Sequence, residues 1–128
     1  FPDALAAILE EGLVDYVAMD IKNSLEKYPE TCGLSNMDTA PVEASIRLLR
    51  ASGVDFEFRT TAVRELHTAA DFLAIARWLE GAPRYYIQNF VDTGNLISSG
   101  FHGFTPQELQ DFAALVQPFS GSVELRGV

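Results

Sequence analysis

The sequence predicts an α/β protein built on a parallel sheet, and three observations carry that prediction. Segments of strand character alternate with segments of helical character along all 128 residues. The helical segments run to about a dozen residues, the kind of connection that parallel neighbours require. The first strand, YVAMDI, is almost continuously apolar, as expected of a strand buried on both faces of a parallel sheet.

Each element has its own signal. Leu5, Ile8 and Leu9 fall at helical spacing in residues 3–12, with Glu10 and Glu11 outward and Gly12 as the stop. Residues 15–21 form the first strand. Residues 23–38 are polar, hold Pro29, Gly33 and Asn36, and read as a long loop with one helical turn at 25–28. Pro41 opens a helix over 39–52, where its missing N–H costs nothing, and Gly53 closes it. In the strand 54–63, Val54, Phe56 and Phe58 share one face while Asp55, Glu57 and Arg59 share the other. Thr68 and Asp71 form a capping box at the head of a helix with Phe72, Ile75, Ala76 and Leu79 inward, ended by Gly81. Residues 84–90 are the third strand, and 91–104 form a glycine-containing loop. Thr105, Pro106 and Glu108 make a helix start for a helix that runs to Gln117 and stops at Pro118. Residues 122–126 are the last strand. The whole, 1–128, reads as a single domain. It is too short for an eight-fold barrel of ~250 residues. It fits either a complete small open sheet or half of a barrel.

Composition narrows the function classes. Eighteen acids face nine bases, a formal charge of -9, which disfavours a nucleic-acid partner through repulsion of the phosphate backbone. No apolar run approaches the ~20 residues of a membrane-spanning helix, so no membrane partner is expected. The start, FPDALAAILEEGL, lacks the basic end of a signal peptide. The single cysteine, Cys32, makes no internal disulfide and holds no cluster alone, so a reducing, cytoplasmic location is the default. Phe1 directly precedes a helix pattern without an initiator methionine, which is expected of a fragment or a processed chain.

In parallel α/β folds ligands bind beyond the carboxyl ends of the strands. Those ends carry Asp20 and Lys22, then Arg59, Thr60 and Thr61, then Gln88 and Asn89. Asp20 and Lys22 lie two apart and share a side. Lysine and arginine there suit a carboxylate or a phosphate; aspartate suits an amine, a ribose hydroxyl or a cation. A structural ion pair among Asp20, Lys22 and Arg59 is the simpler alternative. For His67, His102 and Trp78, loop, surface and packing roles are favoured over chemistry, and Tyr85, Tyr86, Phe90, Phe101 and Phe104 read as packing residues.

Three stretches carry a family resemblance: YVAMDIKNSLEKYPETCG, IRLLRASGVDFEFRTTAVRELHTAADFLAIARWLEGAPRYYIQNF and the closing VELRG. Together they resemble the C-terminal half of radical S-adenosylmethionine activating enzymes, most closely the anaerobic ribonucleoside-triphosphate reductase activating proteins, relatives of pyruvate formate-lyase activating enzyme. The resemblance covers nearly the whole chain. It implies the C-terminal half of a partial (β/α)6 TIM-like barrel. It also implies a radical S-adenosylmethionine oxidoreductase that makes a glycyl radical on a partner such as anaerobic ribonucleotide reductase, with flavodoxin or ferredoxin as electron donor. Asp20 and Lys22 match the family's Asp-x-Lys strand at the methionine end of the cofactor, and Arg59 matches a cavity-facing arginine. Gln88 and Asn89 stand where the relative has a Pro-Tyr-His ending, as candidate substitutes for its ribose-contacting histidine. The Cys-x-x-x-Cys-x-x-Cys loop of the [4Fe–4S] cluster and the Gly-Gly-Glu strand would lie upstream, so these 128 residues alone are expected to be inactive, with no catalytic or metal-binding residue among them. Two other readings remain: a Schiff-base or phosphate-binding enzyme using Lys22, and a non-enzymatic interaction domain built on the exposed edge of the first strand.

Overall fold

A computed structural model describes residues 2–10, 15–32, 38–91 and 100–127. Its elements are α1 (Pro2–Glu10), β1 (Tyr16–Asp20), α2 (Tyr28–Thr31), α3 (Ala40–Ser52), β2 (Asp55–Ala62), α4 (Ala69–Trp78), β3 (Tyr85–Asn89), α5 (Pro106–Val116), a 3₁₀ turn (Gln117–Phe119) and β4 (Val123–Arg126). The four strands are all parallel and lie in the order β1-β2-β3-β4. Elements and order follow the sequence expectation. The expected end of α1 at Gly12 and the centre of the loop 91–104 lie outside the described residues.

Local chemistry sets the boundaries. Thr68 and Thr105 each accept the amide of the third helical residue, and Asp71 and Glu108 reach back to the cap amides. Gly53 ends α3 at φ 75°, a left-handed position that a side chain would resist. Pro118 interrupts α5, and the chain tightens into the 3₁₀ turn. The expected helical turn after β1 falls slightly later, at Tyr28–Thr31.

Consecutive strand order with right-handed crossovers places every crossover helix on one face of the sheet. A single core results. Phe56, Phe58, Tyr85 and Ile87 from the strands meet Leu49, Phe72, Ile75, Leu79, Leu109 and Val116 from the helices. Phe72 stacks on Phe112 with ring centres 4.5 Å apart, and Tyr28 meets Trp78 edge-on. Trp78, Tyr85 and Phe104 are thus packing residues, as expected.

Among the described residues, the opposite face carries no helix. Registered rows cross it: Asp20, Arg59, Tyr86 and Glu124 form one, and Thr61, Gln88 and Arg126 another. This corrects the expectation that β1 is buried on both faces. Tyr16, Ala18 and Asp20 are exposed, because β1 is an edge strand and only Val17 and Met19 face the helices. An apolar run was the misleading signal, since alanine and tyrosine are indifferent to which side is wet. The open face is polar and balanced in charge. Asp20, Asp55, Glu57 and Glu124 are matched by Lys22, Arg59, Arg84 and Arg126, so the excess negative charge of the chain sits elsewhere.

Phe58, fully buried at the centre of the core, tests this arrangement. Phe58→Ala should destabilise the fold by about 3–5 kcal/mol in equilibrium urea unfolding, from lost burial plus the cavity left behind. A loss below about 1 kcal/mol would mean that the two layers do not pack as described.

Candidate functional site

The site forms where β1 runs past its ladder. Ile21 donates its amide to the Arg59 carbonyl at 2.7 Å, which extends the pairing by one residue. Ile21 is fully buried, so Asp20 and Lys22 on either side are driven to the open face together. There Arg59 Nε donates to Asp20 Oδ1 at 2.6 Å, and Lys22 Nζ lies 3.7 Å from Asp20 Oδ2. One carboxylate is therefore shared by two cations. All three side chains are 40–56% exposed, so the cluster is worth little as a stabilising ion pair, about 0–1 kcal/mol. A cavity of about 270 Å³ opens beside them, lined also by Thr61, Cys32 and His67.

The segment beneath the rim is held tightly. Lys22 donates its amide to the Tyr28 hydroxyl at 3.3 Å. The Lys22 carbonyl accepts from His67 Nε2 at 2.8 Å. Asn23, fully buried, donates to the Leu66 carbonyl at 2.9 Å and to the Thr31 hydroxyl at 3.0 Å. Thr60 donates to the Ile21 carbonyl at 2.7 Å while accepting from the Tyr85 hydroxyl. Burial pushes the Tyr85 phenol far above its usual range, so this relay stays uncharged. On the far side, Lys27 pairs with the Asp71 carboxylate at 2.9 Å, and the carboxyl is held low by hydrogen bonds that outweigh its burial.

His67 has a definite tautomer. Val63 donates its amide to Nδ1 at 3.0 Å, so Nδ1 must be bare and the proton sits on Nε2, aimed at Lys22. Burial lowers the imidazole pKa, partly offset by those backbone hydrogen bonds. The expectation of a structural loop role for His67 agrees with these contacts.

The structure brings Asp20, Lys22 and Arg59 together and leaves Gln88 and Asn89 out of the cavity lining. Gln88 is exposed on the open face, in register with Thr61 and Arg126. Asn89 turns to the other side, where it donates to the Phe104 carbonyl at 3.0 Å and accepts the Phe104 amide at 2.8 Å. One residue of offset on a strand separates them. Gly103 lies so close that an added Cβ would stand 2.5 Å from the Phe90 carbonyl and 2.6 Å from Asn89 Oδ1. Asn89 therefore serves as a loop clasp.

Sequence reasoning missed Tyr28, Asn23 and Glu57. Glu57 is 95% buried on the open face, takes the Tyr16 hydroxyl at 2.9 Å, and leaves its second oxygen 3.7 Å from Arg126, which stacks on Tyr86. Its alternation with Arg59 was visible, but its burial depends on side chains from three other strands. Tyr28 and Asn23 act through backbone groups, for which local sequence carries no signal. His102 is exposed and pairs with Glu65 at 2.9 Å, away from the rim. Cys32 is free and exposed.

No protein-family model matches the chain, and no curated protein matches it.

Two outcomes follow from this geometry. Asn89→Ala should cost about 1–3 kcal/mol by leaving two Phe104 backbone groups unpaired, without altering any ligand affinity at the rim. Urea unfolding and ligand titration together check both halves. The second concerns pH. The His67 pKa lies below its unfolded value near 6.5, so the unfolded chain takes up the proton first. Stability from this group is complete above pH ~6.5 and falls as pH drops toward the folded pKa. Unfolding midpoints measured from pH 7.5 to 5 should decline more in the parent than in His67→Gln.

Proposed function

We propose that these residues form the C-terminal portion of a (β/α)6 barrel of the radical S-adenosylmethionine activating type, and that Asp20, Lys22 and Arg59 hold the methionyl end of the cofactor. One observation carries the reading: a single carboxylate shared by two exposed cations at the carboxyl rim of a parallel sheet wound on one side only. An α-amino carboxylate complements this cluster. Its carboxylate would take Lys22 and Arg59, and its ammonium would compete for Asp20. The cavity of about 270 Å³ is below the ~300–1,000 Å³ usual for small-molecule pockets, so it suits the amino-acid end, with the nucleoside extending over the open face. In a barrel the helices form the outer ring, so a sheet face bare of helices among the described residues is the one that would turn inward.

The cofactor supplies the reactive adenosyl group, and these residues bind and orient it. The iron–sulfur cluster of such enzymes does not fit this chain, because one cysteine cannot replace three cluster thiolates. The reading therefore requires cysteines from beyond these 128 residues. A glycyl radical enzyme as substrate, flavodoxin or ferredoxin as electron donor and a cytoplasmic setting belong to the same proposal. Among the described residues, no helix is long and apolar enough to cross a membrane.

The Schiff-base alternative draws no support from the site. The Lys22 ammonium is more than half exposed and faces a carboxylate, the opposite of the desolvated setting that makes a lysine nucleophilic. The interaction-domain alternative rests on β1, which does lie at a sheet edge with Tyr16 exposed.

The test is a titration of S-adenosylmethionine into the 128-residue chain, followed by amide shifts at Asp20, Lys22 and Arg59. Lys22→Ala and Arg59→Ala should each weaken binding by about 10-fold or more, as expected for loss of a charge-assisted hydrogen bond. Shifts confined to the edge of β1, or none at the rim, would sink the reading. A longer chain carrying the three cysteines should cleave the cofactor under a reductant, and Lys22→Ala should lower that rate.

A further inference from the structure

The rim is rigid only if something holds the chain after β1 leaves the ladder. Beyond Ile21 the described residues offer no strand partner, yet both backbone groups of Lys22 are engaged by buried side chains. Tyr28 takes the amide and His67 takes the carbonyl, and each is less than 5% exposed. His67 stands on the loop between β2 and α4, so its hydrogen bond ties one strand end to the next connection. Asn23 makes a parallel tie to the Leu66 carbonyl.

We propose that His67 is the positioning residue of the rim: as the neutral Nε2–H tautomer it fixes Lys22 for an anionic ligand group, and its protonation releases that hold. This deepens the cofactor reading of the same rim and rests on it for the ligand's identity. The hydrogen bonds assign the tautomer without reference to any ligand. An added proton on Nδ1 would face the Val63 amide, donor against donor, at a site with ring contact to Phe72 5.5 Å away. The Val63 carbonyl, 3.3 Å from Nδ1, is already taken by the amides of Leu66 and His67. The imidazole must therefore shift to charge, and Lys22 shifts with it.

Burial disfavours the charged ring, and of the charged groups nearby Asp71 favours it while Lys27 opposes it. Lys27 and Asp71 are the pair on the α2 and α4 side, joined to each other at 2.9 Å. Lys22, Arg59 and Asp20 lie across the cavity, and Glu65 on the same loop is turned to His102. Burial lowers the imidazole pKa, which places the change at His67 below pH ~6.5.

Nuclear magnetic resonance of the labelled chain tests this. At pH 7.5 the His67 ring nitrogens should report the Nε2–H form. On acidification the Asn23 amide and the Lys22 carbonyl should move with the same midpoint as His67. His67→Gln keeps a donor toward Lys22; His67→Asn keeps only the acceptor toward Val63. The first should bind S-adenosylmethionine within about 3-fold of the parent and lose the pH dependence, and the second should lose about tenfold, the worth of one net hydrogen bond. A proton found on Nδ1, or Lys22 signals indifferent to His67 titration, overturns the proposal. If the parent binds no cofactor, the functional reading fails, while the tautomer and the shared midpoint still decide the role of His67. If His67→Asn does not fold, those same two measurements decide it.

Discussion

One-sided winding is the constraint on which everything else depends. Four parallel strands laid down in sequence order leave helices that follow the usual right-handed crossover nowhere to go but one face. All apolar burial is then drawn from alternate strand residues, and their neighbours must tolerate water or each other. The chain solves this with rows of complementary charge and with aromatic rings laid under arginines, as Arg126 lies 3.8 Å above Tyr86. The same constraint sets the strand ends level, so that Asp20 and Arg59 are register partners as well as an ion pair.

The fold was largely legible because its signals are local. Capping boxes at Thr68 and Thr105, Pro41 and Pro106 at helix starts, and Gly53 after α3 all mark boundaries through short-range chemistry. The burial of β1 was misread because sidedness is a tertiary property. An alanine and a tyrosine in an apolar run say nothing about whether a second layer covers them. At the site, the Asp20, Lys22 and Arg59 cluster was readable from period-two alternation and strand ends. Asn89 was not, since its partner is the backbone of Phe104, fifteen residues on.

The rim differs from its foundation in kind. Above, three exposed side chains share charge in water and can exchange partners at small cost. Below, Thr60, Tyr85, Asn23, Tyr28 and His67 are buried and each is matched to a specific donor or acceptor. Such a division suits recognition. The groups that meet a ligand stay adaptable, while the backbone that carries them is fixed by hydrogen bonds that are costly to break in a low-dielectric setting.

The balanced charge of the open face has a consequence at long range. The chain carries a formal charge of -9, and the open sheet face, where four acids meet four bases, does not share in that excess. Uneven charge of this kind acts at a distance, repelling an acidic body less strongly from the balanced side than from the rest. Orientation is thus selected during approach, over distances set by the Debye length, about 8 Å at physiological salt. The polar lattice that lets half a sheet stay wet also gives the protein a front and a back.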